Sequence, residues 1–169
     1  MEPLKTKPAV TIDRQSTLYR LSCTQRVVEP IERVFPFFSE ARNLERLTPA
    51  FLRFQILASS HEVLQAGSLI DYRLRLHGVP VRWRTRIEEW APPLRFVDVQ
   101  IRGPFRYWQH LHEFVQDEGG TLVKDTVDFD VYCQRLYQTP LLGWIDTDLR
   151  RIFEFRRSVI GSVFGEAES

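Results

Sequence analysis

The sequence predicts an α+β fold: a curved, seven-stranded antiparallel sheet wrapped around one long C-terminal helix, with two short helices after the first strand. Three observations carry this. Apolar and polar residues alternate with a period of two through most of residues 52–131. The breaks in that pattern, at His77–Pro80, Ala91–Leu94, Gly103–Pro104 and Asp117–Gly120, are too short for parallel crossovers, so consecutive strands must be antiparallel neighbours. From Leu141 to Phe164 the period becomes helical. Seven strands and one long helix share a core only if the sheet curls around the helix, which leaves space beside it.

Residues 1–16 mix Pro3, Pro8, Lys5, Lys7 and Asp13 without periodicity and read as a loose leader. The first strand begins at Leu18, where Tyr19, Leu21, Cys23 and Val27 alternate with Arg20, Ser22, Thr24 and Arg26. Pro30 suits the first turn of a helix carrying Ile31, Val34, Phe35 and Phe38, which Pro36 keeps short or bent. Ser39 is placed to cap a second short helix through Leu44 and Leu47, ending near Pro49. Strands follow near 52–58, 68–76, 81–90, 95–101, 106–116 and 121–131. In the last helix Leu142, Ile145, Leu149, Ile152, Phe153, Val159, Ile160 and Val163 form a stripe opposite Asp146, Arg150, Arg151, Glu154 and Arg157. Residues 17–165 thus form a single domain, and 166–169 a tail. The connection Tyr132–Gly143, with Pro140 and Gly143, is an entrance lid or an ordinary loop.

The chain has 169 residues, 23 basic and 22 acidic, and a formal net charge of +1. That balance excludes a polybasic nucleic-acid binder, and 12% aromatic residues argue against disorder. Three of the basic residues are lysine (Lys5, Lys7, Lys124); the rest are arginine. Charge is also segregated. Residues 70–106 carry eight arginines and four acids, and residues 107–130 one lysine and six acids, a pattern that complementary neighbouring strands would explain. Cys23 and Cys133 alone cannot build a structural zinc site. With no apolar run near the ~20 residues of a membrane span, and no signal-like N-terminus, a soluble cytoplasmic protein is expected.

The element order, with FPFFSEARNLERLTP after the first strand, then LIDYRLRLHGVPVRWRTRIEEW, RFVDVQIRGPFRYWQHLHEF and GGTLVKDTVDF, resembles the START/pollen-allergen/polyketide-cyclase (SRPBCC) superfamily. It is most similar to the bacterial branch described as polyketide cyclase/dehydrase-like or ligand-binding. The resemblance runs from about Leu18 to Phe164. It implies a helix-grip fold whose cavity binds small apolar or amphipathic molecules. The superfamily includes carriers, receptors and cyclases, so the fold alone does not set the function.

Hairpin register identifies the cavity face. A four-residue turn at His77–Pro80 pairs Leu76 with Val81, Leu74 with Trp83, Tyr72 with Thr85 and Ile70 with Ile87, all inward. The outward face then sets Arg75 against Arg82, Arg73 against Arg84 and Asp71 against Arg86. That face is either solvated or a docking surface for an anionic partner. No aromatic residue is interleaved there, and no nucleic-acid partner is expected. Through Ala91–Leu94, Ile87 meets Asp98 and Thr85 meets Gln100. A three-residue loop at Gly103–Phe105 then pairs Asp98 with His110, Gln100 with Trp108 and Phe96 with His112; a two-residue loop would instead turn Tyr107, Gln109 and Leu111 inward. The first is favoured because the final hairpin pairs Phe114 with Val123, His112 with Asp125, His110 with Val127 and Trp108 with Phe129, the more apolar face.

The predicted cavity set is therefore Tyr72, Leu74, Trp83, Asp98, Gln100, Trp108, His110, His112, Phe114, Asp125 and Phe129. Within it, Asp98–His110 and His112–Asp125 fit a buried polar network, an anchor for the polar end of a ligand, or an acid–base site in which a carboxylate-oriented histidine moves a proton beside a polyketide carbonyl. No nucleophile, second acid or phosphate loop completes a mechanism, so His110, His112, Asp98 and Asp125 are candidates for catalysis only, and the leading expectation is a binding module without assigned chemistry. His110 and His112, two apart on one strand face with Asp98 or Asp125, also have unspecific metal-ligand spacing; no metal and no cofactor are expected.

Overall fold

The computed structural model describes residues 10–132 and 140–166. Its elements run β1 (Val10–Gln15), β2 (Leu18–Val27), α1 (Ile31–Ser39), α2 (Asn43–Arg46), a single 3-10 turn (Ala50–Leu52), β3 (Gln55–Ser59), β4 (Leu69–Leu76), β5 (Val79–Ala91), β6 (Arg95–Arg102), β7 (Tyr107–Asp117), β8 (Gly120–Asp130) and α3 (Pro140–Phe164). All strands join one antiparallel sheet in the order β1-β2-β8-β7-β6-β5-β4-β3. The expected architecture is present, with eight strands among the described residues instead of seven.

The added strand is β1, inside the stretch read as a leader. Val10 is buried and Ile12 half-buried, opposite Cys23 and Leu21, and a turn at Ser16–Thr17 with Ser16 at φ +51° closes the hairpin. Only two apolar residues alternate there, too few to register as a period next to Pro3 and Pro8. Arg150 of α3 donates to the Val10 carbonyl at 2.7 Å, fastening this edge to the helix.

α1 buries Ile31, Val34, Phe35 and Phe38, the face its spacing predicts, despite Pro36. Ser39 does not cap α2. It closes α1, its hydroxyl donating to the Pro36 carbonyl at 2.9 Å, and α2 starts at Asn43 without a side-chain cap. β3 begins at Gln55, because Ala50–Leu52 forms a helical turn ended by Arg53 at φ +46°.

The β4–β5 hairpin corrects the predicted register by two residues. Its turn is His77–Gly78, with φ +48° and +84°, the pair of positive values a tight two-residue hairpin turn demands. Pro80 is not in the turn but in the strand, opposite Arg75. Leu74 therefore faces Val81, Tyr72 faces Trp83 and Ile70 faces Thr85. A shift of two keeps each side chain on its predicted face. On the outer face Arg73 meets Arg82 and Asp71 meets Arg84, so one arginine pair remains where two were expected. Arg84 grips Asp71 through two bonds of 2.7 and 2.9 Å, and Arg73 donates to Gln55. Strand charges also pair across the sheet, Arg20 with Asp128 and Arg106 with Asp130.

The β5–β6 pairs come out as predicted, Ile87 with Asp98 and Thr85 with Gln100, through a shorter loop and a bulge at Glu88. The three-residue alternative holds at β6–β7, with Phe96 opposite His112 and Asp98 opposite His110. β7 and β8 pair as expected throughout. Gly120 starts β8 at φ +123°, and a Cβ there would lie 2.1 Å from the Val27 carbonyl oxygen. Gly120→Ala is expected to lose more than about 1 kcal/mol in urea denaturation, since both conformation and space exclude the methyl group.

Candidate functional site

Between the inner face of the sheet and α3 lies a cavity of about 480 Å³. Strand alternation sends Tyr72, Leu74, Trp83 and Trp108 into it, and the helix stripe closes it with Ile152 and Phe153. The aromatic wall is continuous: Tyr72 stacks on Trp83 at 5.7 Å, and Trp83 meets Trp108 edge-on at 5.2 Å. Tyr72 also lies 3.3 Å from the Thr85 hydroxyl, and burial raises its pKa well above the usual phenol value. At the mouth, His77 of the β4–β5 turn reaches Asp148 of α3 at 2.9 Å and packs on Trp144, which is 54% exposed. Sequence reading gave His77 no role. Most of the segment considered as a lid lies outside the described residues.

One stretch of this wall is polar. The β6–β7–β8 register places Asp98, His110, His112 and Asp125 on adjacent inward positions. The observed side-chain bonds cross the predicted backbone pairs. His110 Nε2 lies 2.9 Å from Asp125 Oδ1, and His112 Nε2 lies 3.1 Å from Asp98 Oδ2. His112 Nδ1 is also 2.8 Å from Asp125 Oδ1, and His110 Nδ1 is 3.6 Å from Asp98 Oδ2. Both imidazoles therefore sit between the same two carboxylates, with ring centroids 3.7 Å apart. Asp98, His110 and His112 line the cavity; Asp125, 4% exposed, stands one layer behind them.

Arg156 of α3 completes the cluster. Its Nε is 3.5 Å from Asp125 Oδ2 and its Nη2 3.3 Å from His112 Nδ1, and it too lines the cavity. Sequence reading missed it. The available signal was its position: Arg156 falls on the apolar stripe, between Phe153 and Ile160, where a solvated arginine has no place.

Burial sets the electrostatics. It lowers the His110 pKa to about 4, the neighbouring His112 ring acting in the same direction against the pull of Asp125. Burial alone would raise Asp125, but the Arg156 guanidinium and the two histidines outweigh it and hold the carboxyl well below its usual range. Near neutral pH the cluster thus has a neutral His110, an ionised Asp125 and a guanidinium beside it.

Four residues of the predicted cavity set take other positions, Asp125 just behind the wall and three more elsewhere. Gln100 turns back to the β6–β7 loop, donating to the Phe105 carbonyl at 2.7 Å, so Phe105 takes the wall position instead. Phe114 packs under α1 between Phe35 and Phe38, and Phe129 packs between Tyr19 and Phe105; both are core.

Comparison with known proteins places this geometry. No curated protein matches the chain in sequence. Among solved structures, protein Ms6760 from Mycobacterium smegmatis matches with a TM-score of 0.62 at 16% identity, over 91% of this chain and 96% of that one. A protein from Arthrobacter aurescens matches with a TM-score of 0.66 at 14% identity, over 91% and 92%. Major latex-like protein 151 from Panax ginseng matches with a TM-score of 0.65 at 12% identity, over 88% and 99%. At these identities the likeness shows the helix-grip fold alone. No helix among the described residues is long and apolar enough to cross a membrane. The profile of the family described as polyketide cyclase / dehydrase and lipid transport matches residues 28–155, and with three-quarters of the sequence inside that match, the chain belongs to this family.

Proposed function

We propose that the protein binds a small hydrophobic or amphipathic molecule, lipid-like or polyketide-like, with its apolar body against Tyr72, Trp83 and Trp108 and its polar end at Asp98, His110, His112 and Arg156. The observation that carries this reading is the cavity itself: about 480 Å³ with an aromatic and aliphatic wall and one cluster of convergent polar groups. That combination of volume, apolar lining and few placed polar atoms is what small-molecule sites require. Two carboxylates against one guanidinium disfavour a carboxylate end group and favour a hydroxyl or amine, which can donate to Asp98.

The test uses N-phenyl-1-naphthylamine, a neutral apolar fluorophore, together with native mass spectrometry of the purified protein. We expect micromolar binding with quenching of Trp83 and Trp108. Ile152→Trp, which fills the cavity from the helix side, is expected to weaken binding at least about tenfold while leaving the melting temperature unchanged or higher. Unchanged affinity in that variant rejects internal binding.

An acid–base role as a cyclase or dehydratase draws on the same wall, since each imidazole that faces the cavity is oriented by a carboxylate. His110, neutral down to about pH 4, is a weak base, which leaves His112 on the same wall as the residue to test. His112→Gln is expected to abolish turnover of a poly-β-ketone substrate if this reading holds, with retained binding of the fluorophore; equal turnover in the variant rejects it.

A further inference from the structure

The polar cluster brings nitrogen and oxygen ligand atoms of Asp98, His110 and His112 together at the cavity wall. Each of the two histidines faces Asp125 with one ring nitrogen and Asp98 with the other. On the Asp125 side the contacts are 2.9 Å from His110 Nε2 and 2.8 Å from His112 Nδ1. The His110 contact is a hydrogen bond, in which the Nε2–H donates to the carboxylate and Nδ1 keeps its lone pair. At His112 the Nδ1 accepts from the Arg156 guanidinium at 3.3 Å, because a guanidinium can only donate, and the Nε2–H donates to Asp98 Oδ2 at 3.1 Å. His110 Nδ1 and His112 Nε2 thus face the same Asp98 Oδ2, 3.6 and 3.1 Å away, the first with a lone pair and the second with a proton that an entering ion would displace. Three potential ligand atoms, two imidazole nitrogens and one carboxylate oxygen, therefore converge at one place on the cavity wall.

We propose that Asp98, His110 and His112 form a binding site for one divalent transition-metal ion, with open coordination positions facing the cavity. The inference does not rest on the ligand-binding reading, because it concerns the ion alone. Five observations agree with it. One ligand atom from each residue lies within 4.8 Å of the others. The separations of 3.1 and 3.6 Å from Asp98 Oδ2 suit ligands that share an ion at about 2.0–2.2 Å from each. Asp125 takes the part of the outer carboxylate that orients metal-bound imidazoles, and Arg156 neutralises it. The formal charge of the whole cluster, two carboxylates and one guanidinium, is −1 before an ion enters. Phe96 stacked on His112 at 4.1 Å and Phe153 against His110 at 5.5 Å supply the apolar surround. Two histidines and one carboxylate with positions left open favour zinc, iron(II) or cobalt(II) over calcium or magnesium, which prefer all-oxygen sets.

The experiment is titration of the tag-free, EDTA-stripped, desalted protein with ZnCl2 by calorimetry, and with CoCl2 followed by visible absorption and histidine NMR. We expect one ion per chain with a Kd near or below 1 µM, weakened at least 100-fold in Asp98→Asn and unchanged in His61→Gln and His77→Gln. In the unsubstituted protein Co2+ should broaden the ring resonances of His110 and His112 and leave His61 and His77 sharp, a readout that needs no variant to fold. Zinc binding no tighter than about 100 µM overturns the proposal. So does a site that survives Asp98→Asn, or one lost with His61 or His77. Fluorophore binding is measured separately on the stripped protein, so loss of the metal site and loss of organic-ligand binding appear as different results.

Discussion

Asp125→Ala is expected to cost about 3–5 kcal/mol of folding free energy, read as a fall of roughly 10 °C in melting temperature. The carboxylate is buried and is the anion that Arg156 meets on the helix, itself only 7% exposed. Removing it leaves a guanidinium in the protein interior without its counter-charge, and takes the shared acceptor away from both imidazoles. The penalty comes from the stranded charge more than from the lost attraction, so deleting both partners should recover much of it. Asp125→Leu with Arg156→Met is expected to be at least about 2 kcal/mol more stable than the sum of the single changes, measured as a double-mutant cycle in urea. Additive single effects would mean that Arg156 is satisfied from elsewhere. The exposed pair Asp71–Arg84 is the contrast. Its geometry is better, with two bonds of 2.7 and 2.9 Å, yet Asp71→Asn should change stability by less than about 1 kcal/mol, because water replaces what is lost.

The cluster also shows which parts of this molecule can be read from sequence. Period-two alternation and turn chemistry locate six of the seven expected strands to within a residue or two, and the β6–β7–β8 register that sets His110 beside Asp98 and His112 beside Asp125 follows from counting residues through two loops. Counting works there because both loops are short and the apolar face is unambiguous. It fails at His77–Pro80, where Pro80 signals a turn but occupies a strand end, and a residue with a Cβ, His77, takes the positive φ. The slip of two preserves faces, so the cavity wall remains legible even though the outer arginine pairs do not. Side-chain direction is the deeper limit. Asp98 and Asp125 exchange the histidines that backbone pairing assigns to them, and Gln100 folds back on its own loop, because rotamers and not strand register decide those contacts. Contacts between distant elements were beyond reach as well: nothing local links Arg156 to β7, although its place on an apolar stripe marks it as a residue with a buried partner.

Acidification supplies the second large effect. In EDTA-treated protein, stability is expected to fall by on the order of 2 kcal/mol between pH 7.5 and 4.5 through His110 alone. The sign follows from where protons bind. Burial holds His110 near 4 in the folded chain, against about 6.5 when unfolded. Between those values the unfolded state carries a proton that the folded state excludes, so each step down in pH favours unfolding. The contribution is complete above about 6.5 and exhausted below about 4. Asp125 acts in a separate window: its folded pKa is depressed, so its stabilisation is present above the ordinary carboxylate value of 3.8 and is lost only as pH falls further. Urea denaturation at half-unit intervals should therefore show a slope between pH 6.5 and 4.5 that His110→Gln flattens, since an amide can still donate to Asp125 but cannot titrate. A slope unchanged in that variant would place the titrating group elsewhere and show that the folded protein accommodates a charged His110. A flattened slope would establish that the helix and sheet close over this ring tightly enough to keep it neutral, which is the condition for its lone pair to face the cavity.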